Sequence, residues 1–116
     1  MPEFSIITGF LGQTKDRFHV YNEQKSLDEK FALVKTMPGY TGVEVVYPYE
    51  VSEVDELTAA LKRHGLKLSA INVNVKGEPE FVSGGITSES KGVREKAIRF
   101  IKEAKDFAKA AGAPRV

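Results

Sequence analysis

The stretch that decides the fold is Gly84–Val116, GGITSESKGVREKAIRFIKEAKDFAKAAGAPRV. It predicts one helix of about five turns, because apolar residues recur at three- and four-residue steps. Ser88 or Ser90 is the predicted N-terminal cap, and Gly112 is the predicted end. Residues 113–116 then begin an extended segment, so the stretch has the order of a βα repeat. The apolar positions are Val93, Ala97, Ile101, Ala104, Ala108 and Ala111.

Strands and helices alternate along the rest of the chain. The predicted helices before the long one begin at Ser26 and Ser52, each with an acidic residue three positions later. Alternating βα units predict parallel strands joined by right-handed crossovers. The predicted strands are Phe4–Leu11, Gly42–Pro48 and Leu66–Val75.

Two closures fit this order, an open doubly wound sheet and a (β/α)8 barrel. The third strand favours the barrel, because one side is aliphatic and the other becomes polar toward the carboxyl end. Glu44 also favours it, since an unpaired carboxylate in a buried strand is costly and a barrel interior offers partners. The predicted fold is therefore α/β, a partial (β/α)8 barrel of about three βα units plus the start of a fourth strand. The aliphatic side is Ile71, Val73 and Val75, and the other side is Leu68, Ala70, Asn72 and Asn74.

Composition excludes several classes of protein. The 116 residues carry 17 basic and 16 acidic side chains, and this net charge of +1 predicts no nucleic-acid or membrane partner. There is no cysteine, so disulfides and cysteine-ligated zinc are excluded. No apolar run is long enough to span a bilayer, and the N-terminus lacks the pattern of a signal peptide. These features predict a cytoplasmic protein of one domain.

Several motifs resemble the sugar phosphate isomerase/epimerase family, whose members have the xylose isomerase-like TIM barrel. Gly42-Val43-Glu44 matches the second strand of that family, and Gly65-Leu66 matches the pair before its third strand. Val93-Arg94 matches the start of the third helix, and Ala108–Ala113 matches its end, Ala-x-x-x-Gly-Ala. The resemblance covers most of the chain from Gly42 onward, and these motifs specify the scaffold rather than the substrate.

The resemblance implies that residues 1–116 are the N-terminal half of such a barrel, because a full barrel has about 250 residues. It implies isomerisation or epimerisation of a sugar or sugar phosphate, by proton transfer next to a carbonyl. It also implies a divalent metal, Mn, Mg, Co or Zn, in the full-length protein. In the family the metal ligands and catalytic carboxylates lie on later strands. No catalytic or metal-ligating residue is therefore predicted here, and the chain alone is expected to be inactive.

The candidate substrate-binding residues lie at or after the strand ends: His19, Tyr47, Asn72 and Asn74. His19 belongs to a polar stretch that includes Arg17, and a lone histidine there is slightly more typical of an exposed loop. The ring of Tyr47 suits either stacking on a sugar or packing against a neighbouring loop. Each asparagine offers donors and an acceptor for sugar hydroxyls, and is equally suited to bonding a neighbouring strand or loop.

Three other features have interpretations of their own. Glu44 is interpreted as an ion-pair or network residue rather than a catalyst, and Arg94 as the residue that holds the loop before the long helix. The loop from Lys76 to about Glu89 is long for a βα connection, which is typical of a lid or a site loop.

Two further functions stay open. One is an endonuclease that cleaves DNA at abasic sites, which the near-neutral charge and the two histidines disfavour. The other is a non-catalytic half-barrel that associates with its own copy or with a complementary half. Association is expected in any case, because a parallel sheet with an unpaired strand start leaves ladder groups and apolar surface open. We therefore predict a homo-oligomer or a complex with a complementary half, and not a stable monomer.

Overall fold

A computed structural model describes residues 2–15 and 18–116. The strands are β1 (Phe4–Ile7), β2 (Thr14–Lys15), β3 (Val20–Tyr21), β4 (Tyr40–Tyr47) and β5 (Lys67–Val73). The centre of the structure is a parallel sheet of three strands in the spatial order β1-β4-β5. The short strands β2 and β3 form an antiparallel hairpin in the loop after β1. The predicted parallel pairing is confirmed, whereas the hairpin was not predicted.

Three helices connect or follow the strands: α1 (Leu27–Lys35), α2 (Val54–His64) and α3 (Lys91–Ala111). The capping box of α1 is confirmed, with the Ser26 hydroxyl accepting from the Glu29 N–H. Ser90 caps α3. The predicted cap of α2 is wrong: Glu53 holds the cap position with no side-chain bond, so Ser52 lies one residue too early.

Gly112 ends α3, as predicted, and Gly65 ends α2; both glycines have the left-handed conformation. Their φ angles are 63° and 76°, values that cost a residue with a Cβ more than they cost glycine. The chain can therefore reverse directly from each helix toward the sheet.

The hydrophobic core lies between the three helices and one face of the sheet. Each helix contributes a side chain that is 0% exposed: Phe31 from α1, Leu57 from α2 and Ala104 from α3. These side chains pack in one cluster with Val43 and Val45 of β4. Full burial of a large aliphatic or aromatic side chain contributes roughly 1.5–3 kcal/mol. We call this side of the sheet the helix face and the opposite side the inner face.

Side chains of the inner face follow from alternation and register. Val43 and Val45 are in the core, so Glu44 and Val46 point to the inner face. Ile7 is the register partner of Glu44, and Asn72 is the partner of Val46, which puts both on the same face.

Two strand predictions need correction. β1 ends at Ile7 rather than Leu11, because the chain turns into a 3₁₀ helix at Thr8–Phe10, closed by the Leu11 N–H on the Thr8 carbonyl. Leu68 does not share the inner face with Asn72, since a register shift in the β4–β5 pair lets it pack against the core.

The predicted start of a fourth strand takes the form of a single contact. The Ile71 N–H donates to the Arg115 carbonyl at 3.0 Å, which puts residues 113–116 along the open edge of β5. We call residues 113–116 the strand stub.

Within 2–15 and 18–116, no helix combines the length and the apolar character that crossing a bilayer requires.

Candidate functional site at the carboxyl ends of the strands

The carboxyl ends of β1, β4 and β5 lie at one edge of the sheet, because the strands are parallel. Thr8 follows β1, a cis Tyr47–Pro48 peptide bond follows β4, and the loop 74–90 follows β5. In (β/α)8 barrels this edge carries the site. We call it the rim.

Glu50 is the centre of a buried polar cluster at the rim. Its Oε1 accepts from the Thr8 hydroxyl at 2.5 Å and from the Val46 N–H at 3.1 Å. Its Oε2 lies 2.5 Å from Lys30 Nζ, and the two side chains are only 5% and 11% exposed. The cluster joins the ends of β1 and β4 to α1, and its charges are matched internally.

Gly12 makes room for this cluster. A Cβ on Gly12 would lie 2.9 Å from Lys30 Cε, closer than side-chain carbons approach. The loop after β1 therefore passes directly over the buried lysine. From the sequence, Glu50 is one of the polar residues in the loop after the second strand, whereas Lys30 was not singled out. The one signal for Lys30 is its place beside Phe31 on the apolar side of α1, and that signal names no partner.

Glu44 and Asn72 form a second polar pair, on the inner face next to the rim. Asn72 Nδ2 donates to Glu44 Oε1 at 3.1 Å. The interpretation of Glu44 as a network residue agrees with this bond. Among the described residues, neither Asn72 Oδ1 nor Glu44 Oε2 accepts a hydrogen bond. The pair thus presents two acceptors, in an orientation that the bond between them fixes.

Asn74 is used differently. Its N–H donates to the Tyr47 carbonyl at 2.8 Å, and its Oδ1 accepts from the Lys76 N–H at 2.9 Å. The side-chain acceptor is therefore occupied by a local turn, which is a common use of asparagine after a strand. Among the described residues, the Asn74 side-chain amide N–H groups have no acceptor, so they can donate to another partner.

The structure does not bring Tyr47 together with Asn72. The Tyr47 ring packs on the helix face, with its centroid 5.1 Å from that of Phe107 in α3. Burial, with Glu103 and Glu53 nearby, raises the pKa of Tyr47. The phenol is consequently a neutral packing group at physiological pH.

His19 lies in the hairpin region after β1 and is exposed. Its ring centroid lies 5.9 Å from that of Tyr21, in a tilted arrangement. Arg17, a member of the same polar stretch, lies outside the described residues. The hairpin thus carries an imidazole and a phenol side by side.

The loop 74–90 is fastened to its surroundings at several points. Tyr49 donates its hydroxyl to Glu78 at 2.7 Å, and burial and this carboxylate raise the pKa of Tyr49 to about 12. Lys96 of α3 lies 2.9 Å from Glu80 and 3.8 Å from Glu78. Phe81, 4% exposed, packs edge-on against α3. The loop is therefore a fixed wall between β5 and α3.

Arg94 holds the end of this loop, as predicted. Its Nη1 donates to the Ser88 carbonyl at 2.6 Å and to the Glu89 carbonyl at 2.8 Å. Both acceptors immediately precede the first turn of α3.

The residues do not form a metal centre by themselves. Across the described ranges, no group of three or more histidine, cysteine, aspartate or glutamate side chains is placed to hold a metal ion. By themselves, the described rim residues therefore do not fit the divalent metal that the resemblance implies.

Two shallow grooves lie away from the rim. One is at the amino ends of the strands, beside Ser5, Gly42 and Ser69. The other lies between α3 and the strand stub, beside Ile101 and Arg115. The candidate site lies at the rim rather than in either groove, because the Asn72–Glu44 pair there has acceptor atoms that no described residue uses.

Comparison with known proteins identifies the family. The family described as xylose isomerase-like TIM barrel matches residues 31–116, most of the chain. The chain belongs to this family. This match confirms the predicted resemblance to the xylose isomerase-like family and the predicted partial barrel.

A solved structure gives the same fold. The AP endonuclease, family 2, from Brucella melitensis is similar to this chain with a TM-score of 0.61 and 24% identity over 97% of the chain. The chain spans 38% of the length of that protein. At this identity the likeness establishes the fold alone. A search of curated proteins gives no match.

Proposed function

We propose that the chain supplies one wall of the substrate pocket in a sugar or sugar-phosphate isomerase/epimerase barrel. The reaction class is proton transfer next to a carbonyl. The observation that carries the proposal is the Asn72–Glu44 pair on the inner face, beside the rim. Its role is to bind and orient the sugar, and the groups that move the proton and any metal ligands come from outside the described residues.

The chemistry of the pair supports a polyol ligand. Asn72 Oδ1 and Glu44 Oε2 are two acceptors of fixed orientation, and sugar hydroxyls are donors that can meet both. A carboxylate also strengthens each hydrogen bond that it accepts. For a sugar phosphate, the hydroxyl end would lie against this pair and the phosphate would lie away from Glu44.

An abasic-site endonuclease is the second candidate, since the solved relative carries that description. Nucleic-acid binding depends on cations that neutralise phosphates. At the rim, Lys30 is paired with Glu50, and Lys96 faces Glu78 and Glu80. The acceptors on the inner face would repel a phosphate backbone, so the charge pattern favours the sugar.

Calorimetric binding distinguishes the two functions. The chain is titrated with aldoses, ketoses and their phosphates, and separately with a duplex that contains an abasic-site analogue. We expect sugar binding that Asn72→Ala weakens about tenfold, the equivalent of one or two lost hydrogen bonds. Thr58→Ala, on the exposed side of α2, is the matched control and should leave the affinity unchanged. Binding of the duplex without sugar binding, or equal affinity of Asn72→Ala and the parent, would refute the proposal.

A further inference from the structure

β1 ends before β4 does, and side chains take its place along the last part of β4. The two strands pair as far as Ile7 and Glu44, whereas β4 continues beyond them. There the Thr8 hydroxyl lies 3.2 Å from the Glu44 carbonyl oxygen, within hydrogen-bonding distance. The Val46 N–H donates to Glu50 Oε1 at 3.1 Å. These contacts satisfy main-chain groups of β4 that would otherwise lack a neighbouring strand.

Glu50 uses its two carboxylate oxygens for different partners. Its Oε2 faces Lys30 Nζ at 2.5 Å, which leaves Oε1 for the Thr8 hydroxyl and the Val46 N–H. The side chains of Glu50 and Lys30 are 5% and 11% exposed, and Thr8 is 0% exposed. Charge-assisted bonds of this kind are short and strong, and burial strengthens them. The carboxylate therefore has one fixed position, set entirely by residues 8–50.

The turn Thr8–Phe10 that Glu50 holds lies directly on the inner face of the sheet. A Cβ added to Gly9 would lie 2.9 Å from Val46 Cγ2, so no side chain separates this turn from Val46. Val46 is in turn the register partner of Asn72 in β5. The turn is therefore a neighbour of the Asn72–Glu44 pair, with only Val46 between them.

We propose that Glu50 is a positioning residue of the candidate site, which holds the Asn72–Glu44 pair in place through Thr8 and the end of β4. Glu44 is the link, because its carbonyl oxygen contacts Thr8 while its carboxylate accepts from Asn72. Glu50 acts through these contacts and is not itself a ligand-binding group. Its effect on sugar binding rests on the proposed function, whereas its coupling to Asn72 is a property of the ligand-free chain.

A role in stability alone makes a different prediction. Loss of a merely stabilising contact lowers the fraction of folded chains but leaves the structure of those chains, and hence their NMR signals, unchanged. Loss of a positioning contact moves the Asn72 amide within the folded chains. The Asn72 side-chain N–H signals of a nitrogen-15 correlation spectrum, recorded without ligand, therefore distinguish the two roles.

Variants of the cluster supply the perturbation. Glu50→Gln removes the charge, Thr8→Val removes the hydroxyl at nearly constant shape, and Thr8→Ser restores it. We expect the Asn72 signals to move in the first two variants and to return to the parent positions in Thr8→Ser. Ala59→Gly is the control, because it weakens α2 at an exposed position and should leave these signals in place. Unmoved signals in Thr8→Val, or an equal movement in Ala59→Gly, would overturn the proposal even where Glu50→Gln does not fold.

Calorimetric titration with the same sugars and sugar phosphates tests the contribution to binding. We expect Thr8→Val to weaken binding about threefold, less than Asn72→Ala does, because the pair is displaced rather than removed. Thr8→Ser should bind as the parent does. Sugar binding that Thr8→Val leaves unchanged would overturn the positioning role and leave the proposed function standing. A parent that binds no sugar would refute the proposed function, and the Asn72 signals would still decide the coupling.

Discussion

Replacement of Glu50 by glutamine tests the buried cluster at the rim most sharply. Glutamine keeps the shape of the side chain and one carbonyl oxygen for the Thr8 hydroxyl and the Val46 N–H. It removes the charge that lies 2.5 Å from Lys30 Nζ, where the lysine side chain is only 11% exposed. An ammonium group is then left in a poorly hydrated place without its counter-ion.

The expected cost follows from that burial. Removal of one partner of a buried ion pair destabilises a protein by about 3–5 kcal/mol. We expect Glu50→Gln near the lower end, at about 3 kcal/mol, because part of the lysine remains hydrated. Urea unfolding, with every variant at the same protein concentration, measures this loss of stability.

Two further variants make this result decisive. Lys67→Met breaks the exposed Lys67–Glu3 pair, whose side chains are 69% and 59% exposed, and should cost about 0–1 kcal/mol. The double variant Lys30→Met, Glu50→Gln removes both charges and should be more stable than Glu50→Gln alone. The reasoning is refuted if Glu50→Gln costs no more than Lys67→Met, or if the double variant is the less stable of the two.

Three further predictions concern the loop 74–90. Gly77→Ala places a Cβ 2.7 Å from Tyr49 Cε2 and should lower the free energy of unfolding in urea by about 1–3 kcal/mol. Ser83→Ala in the same loop is the control and should leave that free energy almost unchanged. Equal effects of the two variants would contradict the close contact. The pKa of Tyr49 is about 12 in the folded chain, above its unfolded value of about 10. The protonated phenol therefore contributes fully to the stability of the folded chain below pH 10, and this contribution is lost as the pH rises toward 12. Ultraviolet titration should therefore show a last tyrosine that ionises near the top of this range and is absent in Tyr49→Phe; an unchanged titration in Tyr49→Phe would assign it elsewhere. Arg94→Ala removes both hydrogen bonds to the carbonyl groups before α3 and should destabilise the folded chain by about 1–2 kcal/mol. Amide hydrogen exchange at residues 86–90 should be faster in this variant. Exchange protection equal to that of the parent would contradict the role of Arg94 in the loop.

Local sequence signals were sufficient for most of the architecture. Apolar periodicity and Gly112 predict α3, because an apolar stripe and a left-handed glycine at the end of a helix are local features of the sequence. The Ser26–Glu29 capping box is equally local. The aliphatic and polar sides of the third strand, together with the carboxylate of Glu44, favour a barrel over an open sheet, and the family motifs agree with that choice.

The candidate site was less predictable, since it depends on contacts between distant segments. Lys30 and Glu50 lie 20 positions apart in sequence, and no local pattern joins them. Tyr47 is the last residue of β4, close to the rim, but alternation turns its ring toward Phe107 on the helix face. Leu68 departs from simple alternation because of the register shift between β4 and β5.

The inner-face pair carries the central claim, and the Asn72 side-chain amide reports on it directly. In a nitrogen-15 correlation spectrum, the two Asn72 side-chain N–H signals are followed while a sugar or sugar phosphate is added. The account predicts that these signals shift in a saturable way, together with the backbone N–H of Val46, the register partner of Asn72. Signals that stay fixed with every sugar and sugar phosphate, or that move only on addition of the abasic-site duplex, would contradict it.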